Sequence, residues 1–365
     1  MADYVLKDAF DAAFVQALSG AAKELEPTFD QERWHQLAMP AHWPDMSLKQ
    51  RMRHLSQLLG SCLPGDYARQ LPVVVALATQ FRSLAGMLFP DFVEVHGTAE
   101  PDLSIPALAE LTSSFSAEFA VRPFLQLYPE RMLQQHLAWA DYPNEHVRRL
   151  ASEGLRPRLP WGQDVGWLKK DPTVTLPVLE KLKNDPSEYV RRSVANHLND
   201  ISKSHPDWLL AVAASWKGQS TATDALLKHA LRGLLKKGRA EAHQLFGFEA
   251  PNFALHHWGI HPNQLVLGQK ATLSLAIEHR GSESSQYRVE YRIHFVKSNG
   301  QRSPKVFQIA EKSLAPGEKM ELSRNHAFAD LTTRKHYPGP HLLELQVNGQ
   351  VAASCEFVLQ EAAMR

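Results

Sequence analysis

The sequence predicts a multidomain α + β chain: a HEAT-like α-solenoid over residues 1–250, then an immunoglobulin-like antiparallel β-sandwich over residues 251–365. Three observations predict it. Apolar residues recur at helical spacing in the first part and at every second position in the last part. A seven-residue motif occurs twice, 43 residues apart, inside the helical part. Near the C-terminus, Asn348-Gly349 separates two alternating runs, the strongest short hairpin signal. The length of 365 residues, at roughly 100–200 per domain, fits two or three domains.

The elements follow in order. Phe10, Phe14 and Leu18 share a helix face. Ser47 and Gln50 form a capping box, and the run behind it places Leu48, Met52, Leu55 and Leu59 on one face. The motif Pro143-Asn144-Glu145-His146-Val147-Arg148-Arg149 then returns as Pro186-Ser187-Glu188-Tyr189-Val190-Arg191-Arg192. Each copy follows a helical stretch and a turn and opens a second helix. A helical pair repeating every ~40–47 residues is the HEAT or armadillo signature, since one pair cannot bury its own apolar face and must stack on another. A late helix over 223–237 ends at Gly238, with Lys236 and Lys237 in its last turn. The sandwich is read from Leu273, Leu275 and Ile277, from Tyr287, Val289, Tyr291, Ile293 and Phe295, and from the two runs around the hairpin. Turns fall at Gly281, Asn299-Gly300, Pro316-Gly317 and Pro338-Gly339-Pro340. With no Cys–Trp–Cys spacing, "immunoglobulin-like" here denotes architecture.

Composition narrows the function. Apolar residues make up 44% and charged residues 22%, which excludes collagen, wholesale disorder and a disulfide scaffold. No apolar run reaches the ~18 residues of a membrane helix, and Met1 to Lys7 has no secretory pattern. Cys62 and Cys355 stand far apart, as expected of a cytoplasmic protein without a structural zinc. The eighteen histidines show no ligand spacing, so no metal or cofactor is expected. The net charge of +1 argues against nucleic-acid binding through the whole surface but leaves room for a local basic stripe.

The repeat supplies such a stripe. Arg148-Arg149 and Arg191-Arg192 sit in the first turns of their helices, where cations oppose the helix dipole. A paired cation repeated in register suits an anionic linear partner such as a phosphate backbone; pairing with neighbouring acids, or capping of adjacent helices, is the plainer alternative. On the first helix Val147, Leu150, Ala151 and Gly154 form the inward stripe, while Arg149, Glu153 and Arg156 share another face. Asn196 occupies the Glu153 slot in the second copy, so a carboxylate there is not a requirement of the repeat.

Val147-Arg148-Arg149-Leu150-Ala151-Ser152-Glu153-Gly154, Leu159-Pro160-Trp161-Gly162 and Tyr189 through Asp200 resemble the HEAT-like alkylation-repair DNA glycosylases. With Ser116 through Pro123 and a C-terminal sandwich, the chain is similar to the AlkC branch, a 3-methyladenine DNA glycosylase class, over essentially its whole length. The sister AlkD branch uses an Asp framed by tryptophans, a frame that Trp139 and Asp141 do not reproduce. The resemblance implies hydrolysis of the N-glycosidic bond of cationic alkylated bases in double-stranded DNA by a monomeric, monofunctional enzyme. It points to Glu118, Glu153 and Trp161 as catalytic, and DNA contacts are expected from Arg122, Arg148, Arg149, Arg156, Arg191 and Arg192. The competing class is a non-catalytic HEAT scaffold that binds DNA structure or protein.

The chemistry suits carboxylates. An N3-alkylated purine is already cationic, so it leaves neutral and needs no general acid. The transition state resembles an oxocarbenium ion, which negative charge near C1′ stabilises. Each candidate has a structural alternative: a surface Arg149–Glu153–Arg156 row, a Glu118–Arg122 pair at i, i+4, and Trp161 filling a gap between repeats. Trp167 is expected in the core and Asp200 in a structural role. Lys169-Lys170 is read as a solvated helix end rather than a lyase amine. In the sandwich, Arg288, Arg292, Arg302 and Lys305 are expected to point outward as a second phosphate contact.

Overall fold

The computed structural model describes residues 6–331 and 334–361. Among them, sixteen α-helices lie between Ala12 and Gln244 and eight strands between Phe253 and Gln360. No helix among the described residues is long and apolar enough to cross a membrane.

Helix starts are set by short polar side chains. Asp11, Asp30, Ser47, Asp66 and Asn144 each accept a backbone N–H from the following turn, which contributes about 1 kcal/mol apiece. The Ser47–Gln50 box forms with both of its hydrogen bonds. The helices Glu145–Glu153 and Glu188–Ile201 carry the repeated motif. The first packs on Pro129–Trp139 and on the second, and the second packs on Thr221–Ala230. Successive second helices thus stack, as a solenoid requires.

The first arginine of each copy is a staple for the preceding turn. Arg148 donates to the carbonyls of Tyr142 (3.0 Å) and Pro143 (2.8 Å). Arg191 donates to those of Asp185 (2.5 Å) and Pro186 (3.0 Å), the same positions one repeat later. Arg148 also forks onto Asp185 at 2.7 and 3.1 Å, tying one repeat to the next.

The sandwich comprises β1 (Phe253–His261), β2 (Gln264–Val266), β3 (Lys270–His279), β4 (Ser285–Val296), β5 (Arg302–Leu314), β6 (Lys319–Ala327), β7 (Gly339–Val347) and β8 (Gln350–Gln360). One sheet runs β1-β3-β6 and the other β2-β8-β7-β4-β5; all pairs are antiparallel except β2 with β8. The predicted alternation holds, with Leu273, Leu275, Ile277, Tyr287, Val289, Tyr291, Ile293 and Phe295 all buried. Asn348 and Gly349 turn the β7–β8 hairpin with φ of 48° and 79°. Asn348 also donates to the carbonyls of Glu249 and Gln286 and accepts from the Arg288 amide.

The expected outward basic row differs. Arg288 is buried and bonded to Glu290 (2.6 Å) and Glu311 (2.5 Å). Arg292 faces Glu344 on the neighbouring β7 and Arg302 faces Glu356 on β8, so each arginine is matched by an acid of the same sheet. Lys305 instead lies over the Phe307 ring.

Chain division by compactness does not follow backbone type. One unit runs to Leu209 and includes Gly218–Ala230; the other takes Leu210–Lys217 and everything described from Leu231 on. The late helix breaks at that boundary into Thr221–Ala230 and Arg232–Lys236.

Candidate active site

The helix Glu145–Glu153 begins under its Asn144 cap and carries Arg149 and Glu153 one turn apart on one face. Across from it, residues 112–120 form no continuous helix, and Val121–Leu127 begins beyond them. That break leaves Glu118 outside a helix, with its carboxylate turned to the neighbouring repeat.

Arg149 gathers the two carboxylates. One guanidinium nitrogen lies 2.5 Å from Glu118 and 2.6 Å from Ser116, and the other lies 3.4 Å from Glu153. The cation sits 4.9 Å from the Tyr189 ring centroid. Glu153 is buried and also accepts from Arg156 (2.6 Å) and the Ser193 hydroxyl (2.5 Å). Arg156 continues to Asp200 at 2.9 Å, and Asp200 to Lys203 at 2.9 Å. Charges therefore alternate along the row Glu118, Arg149, Glu153, Arg156, Asp200, Lys203. Burial works against the Arg149 and Arg156 cations, yet the adjoining carboxylates outweigh it and raise both above their ordinary values. Glu118 is the more open carboxylate, its side chain 23% exposed against 5% for Glu153.

Trp161 stands apart from this row. It lies in a non-helical loop with φ of 64°, a strained conformation for a side chain of its size, and it is largely exposed. Lys49 donates to its carbonyl. Beside it opens a cleft of 710 Å³ whose wall includes Lys49, Arg53, His54, Glu94 and Phe119. Neither Glu118 nor Glu153 lines that cleft, although Phe119 adjoins Glu118 in the chain.

The arginines expected to meet DNA separate into three groups. Arg149 and Arg156 are committed to carboxylates. Arg148 and Arg191 are turn staples, and Arg122 is buried with its guanidinium on three backbone carbonyls, so these three are engaged with the protein's own backbone. Arg122 does not pair with Glu118 at all. Arg192 alone of the six is open to solvent, with its side chain 67% exposed and Glu188 at 2.9 Å. Trp167, expected in the core, is half-buried, and Asp200 is part of the charge row. No group of three or more potential metal ligands exists among the described residues.

Ser116, Ser193 and Tyr189 had no role assigned from sequence. Ser193 did leave a signal: with His197 it interrupts the inward stripe of Val190, Val194 and Leu198, and a polar group on a buried stripe must find a partner there.

Residues 112–234 match the family model described as DNA alkylation repair enzyme, and residues 254–361 match that of the YhaZ C-terminal Ig-like domain. The chain is 45% identical, over 98% of its length and 99% of the other's, to a Bacillus subtilis (strain 168) protein described as "Uncharacterized protein YhaZ". In structure it is similar to Pseudomonas fluorescens alkylpurine DNA glycosylase AlkC bound to DNA containing an abasic site analog. There the TM-score is 0.95 and the identity 37%, covering 98% of this chain and 100% of that one. The chain belongs to the DNA alkylation repair enzyme family. Within this family member, the helical match spans the whole Glu118-to-Asp200 charge row, and the second match spans the described strands from β1 to β8.

Proposed function

We propose that the protein is a monofunctional alkylpurine DNA glycosylase. It hydrolyses the N-glycosidic bond of cationic alkylated bases such as 3-methyladenine in double-stranded DNA and acts as a cytoplasmic monomer. The observation that carries this reading is the sharing of one guanidinium, Arg149, by Glu118 and Glu153. Two carboxylates from separate segments are held side by side, and only Glu118 keeps an open edge. The likeness to AlkC over nearly the whole chain supports the same reading.

In this mechanism the C1′–N bond breaks as the base departs with the bonding pair, which neutralises its cationic ring. The sugar acquires positive charge at C1′. Glu118, braced by Ser116 and Arg149, supplies negative charge at that centre, and Glu153 behind it sustains the field. A water adds its oxygen to C1′ and loses a proton to a carboxylate. Trp161 offers an exposed aromatic face for the cationic base or its neighbour. Arg192 supplies a phosphate contact.

The test is to incubate methylated duplex DNA with the protein and identify the bases released. Free 3-methyladenine is expected. Tight duplex binding with no base released would leave the non-catalytic scaffold as the better description.

A further inference from the structure

We propose that Arg122 is a positioning residue: it joins the end of the helix that carries Glu153 to the loop that carries Trp161, and His136 and His197 cap the same helix end. The proposal rests on the excision reading above and concerns how its two separated parts are held in register.

The geometry is specific. The Arg122 Nε donates to the carbonyl of Gln163 at 2.8 Å, two residues past Trp161. One terminal nitrogen donates to Gly154 (2.8 Å), one residue past Glu153, and to Arg156 (2.9 Å). Residues 154–165 form neither helix nor strand, so ties of this kind set where Trp161 stands. Gln126 adds a bond to the Asp164 carbonyl, and Lys49 donates to the Trp161 carbonyl.

A helix leaves its last carbonyls without partners, and they carry partial negative charge. Here they are met from three other helices. Besides Arg122 from Val121–Leu127, His136 from Pro129–Trp139 bonds Ala151 at 2.9 Å, and His197 from Glu188–Ile201 bonds Ser152 at 3.0 Å. A carbonyl only accepts, so both rings carry their proton on Nδ1. Their Nε2 atoms are buried without partners, which suits neutral rings. Gly154 is part of the same fit: a Cβ there would stand 2.7 Å from His136 Cε1 and 2.8 Å from Val121 Cγ2.

Arg122 has no carboxylate partner, and burial pushes it down to about 10 against an opposing pull from Asp164, with Arg156 adding a lesser push in the direction of burial. A buried cation that ties carbonyls and no acid does the work of a linker. At 1% exposure it cannot meet a phosphate without opening the helix end.

The experiment compares parent, Arg122→Lys and Arg122→Ala protein. It measures single-turnover release of 3-methyladenine at saturating protein, and the salt dependence of binding to undamaged duplex. Arg122→Ala should release base about 10–100-fold more slowly, as expected of a small misplacement of reacting groups. Arg122→Lys should fall between, while undamaged-duplex affinity and its salt slope stay at parent values. A folded Arg122→Ala protein with parent release rates would overturn the proposal. So would a salt slope reduced by about 0.9, the mark of a lost phosphate contact. Should the Arg122 variants not fold, His136→Asn and His136→Phe decide. Asn keeps a donor where Nδ1 stands and should stay within about threefold of parent, while Phe should lose release like Arg122→Ala. Equal rates for the two overturn it. Parent protein that releases no alkylated base defeats the excision reading itself; release by parent and Arg122→Ala alike defeats only this proposal.

Discussion

At the scale of single residues, Arg149 stands between two carboxylates that differ in exposure, and this separates their roles. Glu118→Gln keeps shape and hydrogen bonding while removing charge near the reacting sugar. Base release should fall about 10²–10⁴-fold, with undamaged-duplex affinity within twofold of parent. Glu153→Gln should slow release comparably and also lower the melting temperature, because it leaves the half-buried Arg156 and Arg149 beside a neutral amide. If both glutamine variants are folded and release base at the parent rate, the site lies elsewhere. Trp161→Gly separates strain from function. Glycine accepts a φ of 64° freely, so stability should hold or rise by about 1 kcal/mol while base release falls. A marked loss of thermal stability would mean that the indole serves packing. The Arg149–Glu153–Arg156 row was legible in the sequence because three residues at helical spacing had to share a face. The partner of Glu118 was not, since its arginine lies 31 residues away on the helix Glu145–Glu153 and no local spacing reports it.

At the scale of elements, the repeat was legible as a repeat but not in what its arginines do. Periodicity places Arg148 and Arg191 on their helices; it does not show that each reaches back to two carbonyls of its own entry turn. The second arginines diverge, Arg149 into the charge row and Arg192 into solvent. Arg192→Ala should therefore reduce the salt slope of duplex binding by about 0.9 without shifting the melting temperature. Arg148→Ala should do the reverse, lowering the melting temperature through the lost Asp185 fork and carbonyl bonds. An unchanged salt slope for Arg192→Ala would remove it from the interface. The helix Glu145–Glu153 also links stability to pH. Burial depresses His136 and His197 to about 4 from an ordinary 6.5. Between these values the unfolded rings take up protons that the folded rings refuse, so the stability they contribute is complete above pH 6.5 and is lost as pH falls toward 4. His326 in the sandwich is depressed to about 4 as well, so the loss is not confined to the helical unit. Denaturant unfolding across that window should show the decline, and His136→Asn, which removes one titrating ring, should make it shallower. A decline of parent steepness in that variant would show that His136 contributes nothing to it.

At the scale of the whole molecule, the change from helices to strands was legible because the hydrophobic period itself changes. The compact units are set instead by packing, which the period does not report. Gly238 shows the difference: it precedes the last helix, yet a Cβ on it would come within 2.7 Å of the Gly349 carbonyl in the β7–β8 turn. Only glycine, at a φ of 73°, permits that approach. Asn348 of the same turn bonds the Glu249 carbonyl, and the Tyr287 hydroxyl on β4 bonds that of Asn252. Residues 231–250 thus meet the β7–β8 turn at Gly238 and Glu249, and removing the strands would take both ties away from a segment that carries the apolar side chains Leu234, Leu235, Ala242 and Phe248. A chain ending at Ala250 should consequently expose apolar surface, bind a hydrophobic dye and lose residues 231–250 rapidly to limited proteolysis. A chain ending at Ala230, where the first compact unit closes, should resist proteolysis better despite being shorter. Equal protection of the two products, or greater protection of the longer one, would show that 231–250 stand independently of the strands.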